Sequence, residues 1–252
     1  MSARVVWLGH STVLIEAGGL RILTDPVLRD RFLHIRRVAR GVDAAHLESI
    51  DAVLLSHLHY DHLDLPSLRR IGRGVTVVAP EGSGQLLAKH GFQVRELSAG
   101  GRLELAPGAS VLAVDAAHDS GRMPLGAKAD PLGYVLDAGG ARIYFAGDTD
   151  LFDEMDELSG LDLALIPVWG WGPKLGEGHL DPESAAAAVA RLKPRLAVPI
   201  HWGTFFPIGR RDRAGRLTDP PHEFARAAAR AAPGVEVRVL EPGAALDLEV
   251  AA

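Results

Sequence analysis

Three histidines and two carboxylates lie within the nine residues Ser56–Asp64, SHLHYDHLD, directly after the apolar run AVLL. Such a run is typical of a buried strand, so the polar residues follow at its carboxyl end. In extended backbone a two-residue spacing sends side chains to the same side, which makes His57 and His59 a candidate pair of metal ligands. A lone histidine is more often held by ordinary hydrogen bonds, but four potential ligands in six residues predict a metal site.

The same segment predicts a second ion. Asp61 and His62 lie where the chain bends toward the next helix, so they reach a position beside the first pair rather than completing its ligand shell. The remaining ligands must come from other strands. Three polar residues qualify, because each follows an apolar run at the end where α/β sheets build their sites: His118 in AVDAAHDSG, Asp148 in IYFAGDTD and His201 in LAVPIHWGTF.

Composition describes the protein that must position these residues. The chain has 252 residues, 47% of them hydrophobic and 23% charged, which is the balance of a globular protein with a full core, built as one large domain or two fused halves. It contains no cysteine. Disulfides and thiolate ligands are therefore excluded, and any metal must be bound by nitrogen and oxygen.

Charge and hydropathy bear on partners and location. The net charge is -5 and no basic block stands out, so neither a nucleic-acid nor an anionic-membrane partner is indicated. We interpret the arginine-rich segment RDRFLHIRR, residues 29–37, as a solvated loop or helix face, with a binding surface as the alternative. Because there is no signal-peptide pattern and no apolar run of membrane-spanning length, we expect a cytoplasmic protein without a membrane anchor that acts on a small-molecule substrate. Homo-oligomerisation stays open.

Short apolar runs alternate with helical patterns along the chain. ARVVWLG, TVLIEAG and LRILTDP predict consecutive hairpins, which favours antiparallel pairing over an ordinary doubly wound α/β fold. Helices are predicted in PSLRRIG, GSGQLLAKHG, LFDEMDELSG, DPESAAAAVARL and PHEFARAAARAA, and VEVRVL is predicted as the final strand. We predict a single domain, residues 1–252, made of two similar halves, approximately 1–130 and 131–252. Their two sheets would pack face to face with helices outside.

The ligand-type residues resemble, in type and order, the metal-binding signature of the metallo-β-lactamase superfamily: His57, His59, Asp61, His62, His118, Asp148 and His201. The closer likeness is to the branch containing L-ascorbate-6-phosphate lactonase and the N-acyl-phosphatidylethanolamine-hydrolysing phospholipase D. It is carried by WLGHSTVLIE, ILTDPV, HLHYDHLD, AHDSGR, FAGDTD, GHLDPESA and IHWGTF, which span nearly the whole chain. The resemblance implies an α/β fold, a four-layer αββα sandwich of two mixed sheets with outer helices, whose site lies at one edge between the sheets.

The resemblance also implies how the ligands are divided. His57, His59 and His118 would hold the first metal, Asp61, His62 and His201 the second, and Asp148 would bridge the two. With a shared hydroxide each ion would then have about five donors. Imidazole and carboxylate ligands favour two Zn²⁺ ions, with Mn²⁺ and Fe left open.

Several further residues lie beside these motifs. Asp25 in LTDP resembles an aspartate that orients a ligand histidine through a hydrogen bond. His10 in the GHST turn is a candidate for the same edge, with a structural turn role as the alternative. His179 is a candidate proton donor to the substrate. The alternative is a purely structural histidine in the loop before the predicted helix DPESAAAAVARL. Candidates for a substrate wall, with ordinary packing as the alternative, are Trp169, Trp171, Lys174 and Arg122.

We predict a binuclear metal-dependent hydrolase in which a metal-bridging hydroxide attacks a phosphodiester or phosphorylated small molecule, with Asp61 and His179 as catalytic residues. One alternative is a lactonase or other carboxylic-ester hydrolase that uses the same metals. Another is a non-enzymatic metal-binding module. A degenerate module should have lost a ligand, whereas all seven are present.

Overall fold

A computed structural model describes residues 2–121 and 127–249 of the chain. In chain order the strands are β1 Ser2–Gly9, β2 Thr12–Ala17, β3 Leu20–Thr24, β4 Arg31–Phe32, β5 Ile35–Arg37, β6 Ala52–Leu54, β7 Thr76–Pro80, β8 Gln93–Leu97, β9 Arg102–Ala106, β10 Ala109–Asp115, β11 Leu132–Ala138, β12 Ala141–Phe145, β13 Leu163–Pro167, β14 Leu196–Ile200, β15 Phe205–Pro207, β16 Glu236–Val237 and β17 Ala245–Glu249. The α-helices are α1 Leu65–Ile71, α2 Gly84–Ala88, α3 Pro182–Leu192 and α4 Pro220–Ala231, with 3₁₀ turns at Ala44–Leu47 and Asp153–Glu157.

Two mixed sheets of seven strands each form the body of the fold, in the orders β17-β1-β2-β3-β6-β7-β8 and β16-β14-β13-β12-β11-β10-β9. Alternate residues of β1 face opposite sides of the first sheet. Val5 and Trp7 join the large core between the sheets, whereas Val6 and Leu8 join a smaller core that includes residues of α1 and α2. Helices α3 and α4 pack against β13 and β14 of the second sheet. The predicted αββα sandwich is therefore confirmed.

Parallel strands in the middle of each sheet position the polar loops. In the first sheet β3, β6 and β7 run parallel, and in the second β12, β13 and β14 do so. Every residue of β6, β13 and β14 is buried, which explains why these segments read as unbroken apolar runs. Because parallel strands end at the same edge, the residues that follow them are brought together there.

Two neighbouring strands of the first sheet, β1 and β17, come from opposite ends of the described chain. β17 pairs antiparallel with β1, with Ala3 opposite Leu248. Sequence reasoning missed this strand, because ALDLE has a short alternation that gains its partner only through β1. The predicted final strand VEVRVL forms only the two-residue β16.

Two local predictions were wrong. The arginine-rich segment 29–37 is largely exposed, as expected, but it is neither a loop nor a helix, because β4 and β5 form a hairpin that pairs with β15 in a third, three-stranded sheet. Arg37 is buried there, where its guanidinium donates to the Val27 carbonyl at 2.6 Å and lies 4.7 Å from the centre of the Phe205 ring. The segment LFDEMDELSG forms a 3₁₀ turn, in which Met155 alone is buried, rather than an α-helix.

The chain passes from the first sheet to the second between Leu97 and Arg102 and returns with β17. The boundary between the two sheets along the chain therefore lies near residue 100 rather than near residue 130, where we expected the two halves to meet. Among the described residues, no helix has the length and apolar character needed to cross a membrane.

Replacing Leu248 by alanine should lower the free energy of unfolding by about 2–5 kcal/mol, because this fully buried side chain of β17 joins the core between the sheets. Chemical denaturation followed by circular dichroism measures the change. The exposed neighbour Glu249→Ala is the matched control and should stay within about 0.5 kcal/mol of the parent chain. Equal stabilities for the two variants would show that β17 adds nothing to the core.

Candidate metal centre

Four strand ends deliver the predicted ligands to one edge of the sandwich. His57, His59, Asp61 and His62 follow β6, and the other three, His118, Asp148 and His201, follow β10, β12 and β14. The chain after each strand is held tightly. Gly147, one residue before Asp148, has a φ of +63°, and a Cβ there would lie 2.5 Å from the Cβ of Ser56. The glycine of FAGDTD therefore lets the second sheet approach the first.

One group of ligand atoms is made of histidines alone. Nitrogens of His57, His59 and His118 lie within 4.8 Å of one another. His57 Nε2 is 3.0 Å from His59 Nδ1, and His118 Nε2 is 3.1 Å from the same atom. The structure thus brings together the three residues that the resemblance assigned to the first metal.

A second group combines Asp61, His62 and His201 with His10. His62 Nε2 and His201 Nε2 lie 3.2 Å apart, and His201 Nε2 lies 3.9 Å from Asp61 Oδ2. His10 contacts Asp61 Oδ2 through its Nε2 at 3.2 Å. Its backbone is held at a φ of +55° by an N–H bond to Thr204 Oγ1, so the GHST turn delivers this ring to the site.

Asp148 lies between the two groups. Its Oδ2 is 3.1 Å from His62 Nε2 and its Oδ1 is 3.2 Å from His201 Nε2. It also forms a potential ligand set with His118 and His179. Within the described residues Oδ1 is buried and has no hydrogen-bond partner. An ionised oxygen left unpaired in this way is costly unless a cation neutralises it.

The donor set fits divalent cations, because two of the rings already have an acceptor at their outer nitrogen. His118 Nδ1 donates to the Gly178 carbonyl at 2.8 Å, and His201 Nδ1 donates to the Trp169 carbonyl at 2.6 Å. These bonds place the proton on Nδ1 and leave the Nε2 lone pair facing the centre. Inward lone pairs of imidazole together with a buried carboxylate are the ligands of zinc and related metals.

Charge in the centre also favours a cation. Burial lowers the pKa of His118 to about 4 and that of His57 well below its ordinary value, so both rings are neutral and able to bind metal. Burial acts against protonation of His62 as well, but the carboxylates of Asp148 and Asp61 raise its pKa well above its ordinary value. The second group thus attracts positive charge, which a metal ion could supply in place of the proton.

Asp25 supports the centre from outside. Its carboxylate accepts hydrogen bonds from Ser56 N and Ser56 Oγ. The same carboxylate lies 2.7 Å from His62 Nδ1. Asp25 is fully buried and has a φ of +30°. It therefore contacts a candidate ligand histidine, as the LTDP motif led us to expect. Ser56, which also contacts His57 Nδ1 at 2.9 Å, was missed in the sequence, although it begins SHLHYDHLD.

The two tryptophans of the PVWGWGPKLG loop differ in their contacts. Trp171 donates its indole N–H to Asp61 Oδ2 at 2.9 Å, a hydrogen bond that the substrate-wall interpretation did not include. Trp169 is buried, donates to the Gly172 carbonyl at 3.0 Å and carries Arg216 on its ring face at 4.5 Å. Trp171 therefore helps to position Asp61, whereas the Trp169 ring is held by its own loop and by Arg216.

The remaining substrate-wall candidates are less constrained. Lys174 is exposed on the same loop. Arg122 lies outside the described residues. Among the described residues, no contact assigns Lys174 to the centre.

His179 reaches the centre from a different loop. Its Nε2 lies 3.3 Å from Asp148 Oδ2, and its Nδ1 contacts the Glu177 carbonyl at 2.9 Å. Burial opposes its protonation, but the hydrogen bond to Asp148 and the charge of that carboxylate raise the pKa of His179 to about 9. The ring is only partly buried. It can therefore face both the centre and a bound molecule.

Replacing Trp171 by phenylalanine should weaken binding of the second metal roughly 10-fold, because the ring remains while the N–H bond that orients Asp61 is lost. Calorimetric titration of metal-free protein with Zn²⁺ measures both binding steps. Lys174→Ala, on the same loop, is the control and should bind as the parent chain does. An equal loss of affinity in both steps would contradict a role confined to Asp61.

Asp25→Asn should lower Zn²⁺ affinity roughly 10- to 100-fold, because an amide of the same shape no longer fixes the tautomer of His62. Competition with a coloured chelator provides the measurement. Asp130→Asn removes the same charge at an exposed position and should leave the affinity unchanged. Unaltered affinity in Asp25→Asn would reduce Asp25 to a packing residue.

One protein family and two known proteins resemble this chain over most or all of its length. A family described as the beta-lactamase superfamily domain matches residues 20–202. A UPF0173 metal-dependent hydrolase of Thermus thermophilus is 36% identical over 248 residues, covering 97% of this chain and 99% of that protein. The solved structure of Igni18, a metallo hydrolase from Ignicoccus hospitalis, aligns with a TM-score of 0.76 and 27% identity, covering 99% of both chains.

CmlA, a diiron beta-hydroxylase from Streptomyces venezuelae, aligns with a TM-score of 0.74 and 20% identity over 98% of this chain and 54% of its own, a likeness that shows the fold alone. The family match covers most of the chain, and the Thermus protein adds close similarity over nearly its full length. The chain therefore belongs to the metallo-β-lactamase superfamily, as one of its metal-dependent hydrolases.

Proposed function

We propose that the chain is a binuclear metal-dependent hydrolase of phosphodiesters or phosphorylated small molecules. The observation that carries this proposal is the convergence of two separate ligand groups on either side of Asp148. A single ion would need one such group. Two groups that share a carboxylate favour a pair of ions, most simply two Zn²⁺.

The ligand roles follow from the groups. His57, His59 and His118 would hold one ion, Asp61, His62 and His201 the other, and Asp148 would contact both. When bound, two divalent cations would supply an activated water and an electrostatic clamp for the oxygens of the substrate. Mn²⁺ or Fe can occupy such a site in principle, and iron is the metal named for CmlA, which has the same fold.

Asp61 is the carboxylate best placed to orient an attacking water. His10 and Trp171 both contact its Oδ2, so the side chain is fixed before substrate arrives. Its hydrogen bond from His10 and the charge of His62 overcome the effect of burial and lower the pKa of Asp61 well below its ordinary value. An ionised, oriented carboxylate can accept a hydrogen bond from water.

His179 is the residue best placed to serve the departing group. Its Nε2 lies beside Asp148, while the ring stays partly open to the outside of the centre. A proton on this nitrogen could be donated to the oxygen that leaves phosphorus, which is the step most difficult for an alcohol leaving group. Hydrolysis of a phosphodiester with an alcohol leaving group would use such a donor.

Protein stripped of metal and reloaded separately with Zn²⁺ and Mn²⁺ should hydrolyse bis(p-nitrophenyl) phosphate, and chelation should abolish this turnover. Asp61→Ala should reduce kcat at least about 100-fold, because it removes both a metal ligand and the oriented carboxylate. Asp130→Asn, at an exposed position, is the control and should retain the parent rate. Release of p-nitrophenol and circular dichroism of each variant provide the measurements.

A chromogenic lactone and a chromogenic carboxylic ester belong in the same assay. Turnover of either, with none of the phosphodiester, would replace the proposal by a lactonase or esterase with the same metal centre. Full metal occupancy without turnover of any of the three substrates would favour a non-enzymatic module.

A further inference from the structure

Large apolar side chains are exposed at only three places in the described ranges, 2–121 and 127–249. They are Leu33 at 62%, Ile208 at 41% and Val38 at 39% exposure. All three flank the small sheet of β4, β5 and β15. Leu33 and Ile208 are neighbours at one end of that sheet, because the Ile208 N–H donates to the carbonyl of His34 at 2.9 Å.

Leu33 occupies its place against two local preferences. It turns the β4–β5 hairpin with a φ of +47°, a left-handed conformation that glycine and asparagine adopt more readily than leucine. Its side chain nevertheless points into water rather than into the core. Leu33 thus combines a strained backbone conformation with an exposed apolar side chain. This combination suggests that the side chain contacts a partner outside the chain.

Four exposed arginines lie in the same two segments of the chain as these aliphatic side chains. Arg31 and Arg36 lie directly opposite each other across β4 and β5, an unfavourable placement of like charges. Arg210 and Arg211 follow Ile208 along the chain. All four are exposed, and none forms an ion pair with a carboxylate of the described residues.

The carboxylates within these two segments act elsewhere. Asp212 accepts hydrogen bonds from the N–H groups of Arg216 and Leu217 at 3.0 and 2.8 Å. Asp30 acts on the buried guanidinium of Arg37. The surface formed by Leu33, Ile208, Arg31, Arg36, Arg210 and Arg211, which we call the hairpin surface, is thus cationic although the chain carries a net charge of -5.

This combination selects among partners. Two copies meeting through the hairpin surface would oppose eight arginines of the same sign, which disfavours a symmetric dimer there. Nucleic acid would use the arginines but would gain little from protruding aliphatic side chains. An anionic bilayer uses both, because aliphatic groups enter the acyl boundary while arginine heads remain among the lipid phosphates.

We propose that the hairpin surface docks the protein on membranes that contain anionic lipids, with Leu33 and Ile208 inserted and the four arginines at the level of the lipid phosphates. The attachment is peripheral and requires no spanning helix. The sequence alone indicated no anionic-membrane partner, because RDRFLHIRR and the segment 208–213 are far apart along the chain.

The hairpin surface adjoins the candidate metal centre. The ring of His34, next to Leu33, meets the ring of Trp171 edge-on at 5.7 Å between centroids, and Trp171 donates to Asp61. Docking would therefore hold the centre near the lipid headgroups. The proposal does not depend on the reaction that the centre catalyses.

Flotation of the full chain with vesicles tests the docking. We expect it to float with vesicles of phosphatidylcholine and phosphatidylglycerol in equal amounts, and to stay in solution with phosphatidylcholine alone. High salt should weaken binding, because exposed charges are screened. The combined variant Arg31→Ala, Arg36→Ala, Arg210→Ala, Arg211→Ala should lower the partition coefficient at least about 10-fold.

The apolar contribution is tested separately with Leu33→Asn and Ile208→Thr combined. Asparagine tolerates the left-handed backbone, so this variant should fold as the parent chain does and still bind at least about 10-fold more weakly. The control is Arg70→Ala with Arg95→Ala, two exposed arginines away from the hairpin surface, and it should float as the parent does.

Three results would overturn the proposal. One is a parent chain that fails to float with anionic vesicles. Another is equal flotation of the parent and both hairpin-surface variants. The last is a parent chain that ultracentrifugation shows to be an oligomer and that the Leu33→Asn, Ile208→Thr variant converts to monomers, which would make this surface a contact between copies.

Discussion

The constraint on which the structure depends is the burial of inward-facing imidazole lone pairs around the carboxylate of Asp148. His62 and His201 bring their Nε2 atoms within 3.2 Å of each other, and Asp148 keeps a buried oxygen without a hydrogen-bond partner among the described residues. Two imidazole nitrogens at this distance repel each other unless a proton or a metal ion lies between them. A site of this kind has to be enforced by the fold, since its own groups would otherwise move apart.

The fold enforces it through rigid strand ends and strained turns. The buried parallel strands β6, β12 and β14 stop at the same edge, so their loops cannot retreat from one another. His10, Asp25 and His201 all have positive φ angles, at +55°, +30° and +63°, which are unusual for residues other than glycine. Strained backbone at three residues of one centre is typical of a functional site that the surrounding core holds in place.

Much of the centre could be predicted from the sequence, because each ligand is a polar residue that directly follows an apolar run. The seven proposed ligands were predicted in this way, and the resemblance supplied their division, whereas His10 was not predicted as a member of the second group. The contact from Trp171 to Asp61 could not be predicted, since it joins loops 110 residues apart that only the folded sheets bring together. Backbone carbonyls that orient the rings, such as those of Trp169 and Gly178, leave no signal in residue type.

The elements that could not be predicted from the sequence were missed for the same physical reason. β17 is a short strand whose pairing with β1 joins the ends of the described chain. The hairpin surface depends on pairing between β5 and β15, which joins the segment that contains Arg210 and Arg211 to the hairpin that contains Arg31 and Arg36. Neither feature has a local hydrophobic periodicity strong enough to be recognised in the sequence. Long-range pairing decides both.

The most direct test of the central claim is the number of metal ions that the folded chain binds, counted by native mass spectrometry after reloading with Zn²⁺. Two converging ligand groups predict two ions per chain in the parent protein and one in His59→Ala, which disrupts the all-histidine group alone. A parent chain that binds a single ion, or whose count is unchanged in His59→Ala, would contradict the binuclear centre.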